Sequence, residues 1–340
     1  MENKKTNPAA EKIKALTDKL EAGVKEVFES EQYKRYLKVM SKFHNYSFGN
    51  VMLILMQCPN ASLVAGFHKW KKDFGRNVKK GEQGIQILAP CPYKKFVEQE
   101  VEKPDGTKEL ETVLQVRQGF KLAYVFDVSQ TEGRELPSFG VDALTGDVQH
   151  YDEFYKAIEA VSPVPIVFRK STDSSKGCYN HLEQKIYIND DLSQLQTLSV
   201  MIHELSHAVM HALPVENGKI VGSHEKDRRT REVEAESVAY VVCQHFGIET
   251  GDSSFAYVTS WSKNKELPEL KASLECISNT ASKMIEDITE KCPSLNVEKS
   301  SGKEKGEQSL LGGNGSAVRR VMTYSRYVEY NGVIYSSLLR

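Results

Sequence analysis

Histidines stand at 203, 207 and 211 in the stretch MIHELSHAVMH, with a glutamate at 204. Residues four apart on a helix project from one face. His203 and His207 can therefore bring both imidazoles to a single Zn2+, or to another divalent metal. Glu204 follows His203 directly and can lean toward water on that metal, acting as general base while the ion lowers the water's pKa. This is the H-E-x-x-H arrangement. Ile202, Leu205, Ala208 and Val209 give the same segment an apolar side, as a metal helix set in a core needs.

His211 does not fit the same ion. It lies about 12 Å along the helix axis from His203, whereas zinc–nitrogen bonds are about 2 Å long. No glycine stands among Ala208, Val209 and Met210 to break the helix. His211 is expected to cap carbonyls before Pro214 or to line the cleft. The third ligand must come from elsewhere, and RTREVEAESVAYVVCQHFG offers Glu232, Glu234 and Glu236. Glu232 and Glu236 share a helix face, whereas Glu234 points about 200° away from Glu232. A gluzincin-like pattern puts Glu232 on the metal and Glu236 behind it, orienting a ligand histidine. Glu232 is favoured, but geometry alone also allows Glu234 or Glu236, and His224 and Asp227 are weaker rivals. All three glutamates could instead be solvated partners of Arg228, Arg229 or Arg231. His245 reads as structural.

The elements that must position these groups follow from periodicity and punctuation. Residues 9–29 and 31–43 read as helices, and Ser47 as the N-cap of a third that stops at Pro59. From 63 to 128 the texture turns to short β-like runs at Ile85–Leu88, Val113–Val116 and Leu122–Phe126. The acidic stretch Glu98–Glu111 between them reads as a solvated hairpin tip or insertion. The turn-rich Leu136–Asp147 is the expected domain boundary. Beyond it come a helix near Tyr151–Val161, strands at Ile166–Arg169 and Lys185–Ile188, the histidine helix, a polar loop (214–229), a helix over about 230–246, and an amphipathic helix over 268–290. Lys185–Asn189 is the candidate edge strand for holding an extended peptide by backbone pairing. The expected division is 1–140, 141–292, a disordered linker 293–318, and a tail 319–340 with a hairpin at Asn331-Gly332.

Composition narrows the class. With 40% hydrophobic and 27% charged residues, the chain should be globular. Its longest apolar run, Val51–Met56, is far short of a bilayer span. Scattered cysteines without a CxxC, and an N-terminus without the apolar core of a signal peptide, point to a cytoplasmic protein with reduced thiols and no membrane partner. Net charge is −1, so charge arguments must be local. Residues 66–95 carry Lys69, Lys71, Lys72, Arg76, Lys79, Lys80, Lys94 and Lys95 against Asp73 and Glu82, with Phe67, Trp70, Phe74 and Tyr93 interleaved. Cations bind phosphates and aromatic faces stack unpaired bases, which suggests single-stranded nucleic acid. The bland alternative is that Trp70 and Phe74, at i, i+4, are helix core and the lysines a solvated face.

KWKKDFGRNVKKGEQGIQIL, preceded by NYSFGN and followed by YVFDVSQTEG, resembles the N-terminal domain of ArdC-type antirestriction proteins and the related LtrC-like proteins of mobile elements. HELSH and EVEAESVAYVVCQHFGI resemble the zincin-like metallopeptidase domain of the same family. The resemblance covers about 30–290. It implies an α+β chain: a mixed helix/β domain that binds single-stranded DNA, for which the basic segment offers Lys69, Trp70, Lys71, Lys72, Arg76, Lys79 and Lys80, then a zincin-like domain with a small sheet and the HExxH helix. By position it supports His203, Glu204, His207 and Glu232. The function implied is a metallopeptidase-like accessory protein of a plasmid or conjugative transposon, protecting or processing DNA and acting on an unidentified protein or peptide. The alternatives are a non-enzymatic protein that coats single strands around a structural metal, and a regulatory protease that cleaves a repressor.

Overall fold

The structure is a computed structural model, and it describes residues 8–102, 108–136, 151–170, 175–248 and 255–292. The expected linker and C-terminal hairpin, most of the 136–147 boundary and the tip of the acidic insertion lie outside these residues. Helices open the chain: α1 (Pro8–Glu26), α2 (Ser30–Lys42) and α3 (Phe48–Gln57). Ser47 caps α3 by accepting from the Asn50 N–H, as its position before an apolar run predicts. Then come β1 (Val64–Gly66), the short α4 (Phe67–Lys72), β2 (Arg76–Val78), β3 (Ile85–Pro90), β4 (Tyr93–Glu102), β5 (Lys108–Arg117), β6 (Phe120–Asp127) and β7 (Thr131–Gly133). β6 is the centre of a sheet ordered β1-β6-β3. The acidic insertion is part of a long antiparallel ribbon, β4 on β5, in register from Tyr93↔Arg117 to Glu102↔Lys108.

The second half holds α5 (Tyr151–Val161), β8 (Ile166–Arg169), β9 (Gly177–Asn180), β10 (Lys185–Asn189), α6 (Gln194–Met210), the small hairpin β11 (Val215–Glu216) and β12 (Lys219–Ile220), α7 (Arg228–His245), α8 (Ala256–Ser262) and α9 (Leu267–Lys291). This is the expected α+β class. One expectation fails. β10 is the central strand, parallel to β8 and antiparallel to β9, so Lys185–Asn189 has no edge to offer a peptide. Its run of three buried residues, Ile186, Tyr187 and Ile188, is the pattern of an interior strand. Among the described residues the edge beside α6 belongs to β9.

Apolar burial ties the two halves together. One cluster of buried side chains runs from Leu16 to Cys292, with Tyr33, Tyr36 and Met40 of α2 in the same core as Val238, Val241 and Val242 of α7. Tyr33 Oη lies 2.7 Å from Ser237 Oγ, and Lys271 of α9 reaches Glu21 of α1 at 2.6 Å. The N-terminal helices thus support the back of α7, whose front carries Glu232 and Glu236. A smaller cluster of Ala65, Trp70 and Phe74 sits under α4.

Gly177 sets how closely β9 approaches α6. A Cβ there would stand 2.6 Å from Val200 Cγ1 and 3.2 Å from Glu204 Cγ. Gly177→Ala must therefore push the strand and helix apart. We expect a loss of about 1–3 kcal/mol, the usual cost of overpacking, read as a lower urea midpoint with an unchanged slope.

Candidate metal centre

Ser193 begins α6 with a capping box, accepting from the Gln196 N–H while the Gln196 side chain returns to the Ser193 N–H. Leu198, Met201, Ile202, Leu205 and Ala208 anchor the helix in the core, which turns His203 and His207 toward α7. Asp227 begins α7, accepting from the Thr230 N–H at 2.8 Å and pairing with Lys265 at 2.9 Å. The ion pair with Lys265 and the Thr230 N–H hold the Asp227 carboxyl below the usual carboxylate range. A depressed folded-state pKa gives stability that is present above the unfolded value and lost as pH falls through the folded one. Asp227→Ala should cost about 1 kcal/mol at pH 7, as for a lost N-cap. The gap from wild type should narrow below about pH 4, where the unfolded carboxyl begins to protonate. Denaturant melts at a series of pH values test both statements.

His203, His207 and Glu232 converge. The two Nε2 atoms are 3.2 Å apart, and Glu232 Oε2 lies 3.7 Å from that of His203 and 3.5 Å from that of His207. Ligands at about 2.0–2.1 Å from a tetrahedral metal stand about 3.3 Å from one another. The three donor atoms therefore fit one ion without rearrangement, and theirs is the metal-compatible grouping found among the described residues. Glu236 Oε2 lies 3.3 Å from His203 Nδ1, on the far side of that ring. Burial disfavours charge on His203, but hydrogen bonds to Glu232 and Glu236 outweigh it and push its pKa up to about 10. Hydrogen bonds from His203 and His207 hold Glu232 well below the usual carboxylate range.

Glu204 is buried, at 8% exposure, beneath β9. Burial pushes its pKa up, and the nearby imidazoles and the Tyr179 backbone N–H pull it partly back. Glu234 points the other way, fully buried. It accepts from Lys226 Nζ at 2.7 and 2.9 Å, from Ser273 Oγ at 2.8 Å, and meets His211 Nε2 at 3.0 Å. α6 runs unbroken to Met210, and His211 is not among the three donors; both of its ring nitrogens face side chains rather than a carbonyl. Its Nδ1 lies 3.1 Å from His207 Nδ1. His224 is outside the group, its ring 5.0 Å from that of His181. His245 approaches Ser41 O at 2.9 Å, away from the site.

The basic segment needs one correction. Trp70 is fully buried, its Nε1–H donating to Phe126 O at 2.9 Å and its ring 4.8 Å from that of Phe74. The i, i+4 pair is core, and no base can stack on Trp70. Arg76 is engaged with Thr131 Oγ1 at 2.7 Å and Thr131 O at 2.8 Å, bracing β2 against β7. Lys69, Lys71, Lys72, Lys79 and Lys80 are exposed. Exposed aromatics in this half of the chain include Phe67, at 52%, Tyr93, at 50%, and Tyr124, at 47%. Tyr124 stands on β6, far from the lysines in sequence.

A small sheet, an HExxH helix and a following glutamate-bearing helix define a zincin-like, metallopeptidase-type domain. Residues 165–243 match the IrrE N-terminal-like domain, a peptidase-family domain, and residues 7–126 match the N-terminal domain of the anti-restriction factor ArdC. The two matches follow one another along the chain, the ArdC N-terminal domain first and the IrrE-like domain second. An uncharacterized protein of Bacillus anthracis, pXO2-81, is 28% identical over 340 aligned residues, covering 88% of this chain and 55% of the relative. The chain thus spans about half the length of the curated relative it matches. Among solved structures, the antirestriction protein ArdC from plasmid R388 is similar in metal-free form, with 20% identity and a TM-score of 0.42 over 73% of this chain and 84% of that one. Its Mn(II)-bound form gives 19% and 0.41 over 72% and 84%. Among the described residues no helix is long and apolar enough to cross a membrane, and no disulfide joins any of the six cysteines.

Proposed function

We propose that the chain is an antirestriction or DNA-transfer accessory protein of a mobile element, with a zinc-dependent peptidase site in residues 141–292 and single-stranded DNA held by residues 1–140. The convergence of His203 Nε2, His207 Nε2 and Glu232 Oε2 beside a buried Glu204 carries this reading. Closed structural zinc sites use four protein ligands, whereas catalytic ones use three and leave a position open. Three donors and a buried carboxylate that is not one of them favour the catalytic kind.

His203, His207 and Glu232 would hold the ion, and Glu236 would fix the His203 ring through Nδ1. Bound there, a divalent metal supplies a Lewis acid that polarises a carbonyl and makes water easier to deprotonate. Glu204 takes the proton from the attacking water and passes it to the departing amine. Its burial raises its basicity toward the working pH, which suits both transfers. The edge of β9, beside Glu204, is the place for an extended peptide to pair, in place of β10.

For DNA, the exposed Lys69, Lys71, Lys72, Lys79 and Lys80 supply charge and Phe67 and Tyr124 supply stacking faces. The test is a titration with single- and double-stranded oligonucleotides at two salt concentrations. Single strands should bind more tightly, and affinity should fall as salt rises. Glu in place of Lys71, Lys72, Lys79 and Lys80 should abolish binding while leaving metal content unchanged. Equal affinity for both forms, or none, removes the DNA part of the proposal.

A further inference from the structure

Four buried or half-buried groups behind His207 form a chain whose hydrogen-bond direction is fixed from one end. The inference concerns what that chain does, and it rests on the metal site proposed above. Glu234 is fully buried and accepts two hydrogen bonds from the Lys226 ammonium, which can only donate, and one from Ser273. Its Oε2 therefore accepts from His211 as well, which puts a hydrogen on His211 Nε2. Lys226 already balances the carboxylate charge, so the His211 ring needs no second proton. A neutral imidazole with Nε2–H has a bare Nδ1, which can only accept. That atom faces His207 Nδ1 at 3.1 Å, so His207 Nδ1 must be the donor. A neutral His207 with Nδ1–H then has its lone pair on Nε2, the atom that faces His203 Nε2 and Glu232.

We infer that Glu234, acting through His211, sets the ring tautomer and orientation of His207 so that its Nε2 lone pair faces the three-donor site. Glu234 and His211 are positioning residues. They touch neither of the other two donors, and Glu236 behind His203 is the corresponding group on the other ring. The device ties the site to distant elements. Lys226 comes from the loop after β12, Glu234 from α7 and Ser273 from α9, so three segments beyond α6 meet on one carboxylate.

The direct test is nitrogen-15 spectroscopy of the histidine rings in metal-free wild-type protein, with the His207 signals assigned by their loss in His207→Gln. We expect Nδ1 protonated and Nε2 bare. In His211→Phe that preference should collapse to a mixture, and Zn2+ affinity, measured by competition with a chelator, should fall about ten- to a hundredfold, the usual cost of losing such a partner. His211→Gln, whose amide oxygen can accept from His207 Nδ1–H, should recover most of both. A wild-type His207 carrying its proton on Nε2 would overturn the inference, as would a His211→Phe protein with wild-type Zn2+ affinity. The ring signals are read without metal, so they decide this point even if the wild type binds no Zn2+, a result that would instead remove the metal site.

Discussion

Glu204→Gln should lower turnover of a cleaved polypeptide by about 10²–10⁴, the usual contribution of a general acid–base group, or about 3–5 kcal/mol in activation free energy. Metal content should not change, because Glu204 is not among the three converging donors. Neither should the fold suffer. Burial already disfavours the charged form of this side chain, and Gln keeps its shape while removing that penalty. The combination is diagnostic: a residue that served only to hold the core would move the melting temperature and leave turnover per folded molecule alone. A Glu204→Gln protein that retains both cleavage and its biological effect would return the chain to the rival reading, in which the metal is structural and DNA coating is the whole activity.

The second large effect concerns the ion. His203→Ala and Glu232→Ala should each weaken Zn2+ binding by about a hundredfold or more, beyond the range seen for groups that merely orient a ligand. His224→Ala, outside the donor group, should leave it unchanged. Thermal melts give an independent reading. A ligand at a hundred times its Kd stabilises by about 2.7 kcal/mol, and one at its Kd by about 0.4 kcal/mol. At a fixed Zn2+ concentration the metal-induced rise in Tm should therefore nearly vanish in the two ligand variants. The pH dependence also has a definite sign. In the metal-free protein the carboxylates around His203 push its pKa up to about 10, so the ring is protonated at neutral pH. Binding must expel that proton, and affinity should rise about tenfold per pH unit between pH 7 and 8.

What the sequence revealed and what it hid have physical causes. His203, Glu204 and His207 were legible because helical spacing alone puts the two rings on one face. The α7 glutamates were legible only in part. Periodicity shows that Glu232 and Glu236 share a face and that Glu234 does not, and the geometry follows it: Glu232 meets both rings, Glu236 backs one of them, and Glu234 is turned into the core. No local rule shows that Glu234 finds Lys226, His211 and Ser273, because that depends on how α9 packs. The polar loop read from 214 to 229 hid a hairpin whose signal was present, since Asn217 and Gly218 both take positive φ in its turn. β10 reads as an edge in the sequence because β9, a four-residue strand starting with Gly177, carries little pattern of its own. Trp70 illustrates the opposite problem: basic neighbours suggested a surface, while its spacing from Phe74 was already that of a core pair.

The central claim is that one ion is held between α6 and α7. Diffraction from crystals grown with Zn2+ or Mn2+, with data collected at that metal's absorption edge, tests it most directly. The account predicts one strong anomalous peak about 2 Å from Nε2 of His203, Nε2 of His207 and a carboxylate oxygen of Glu232. No peak there, or a peak that leaves either histidine out, would contradict it.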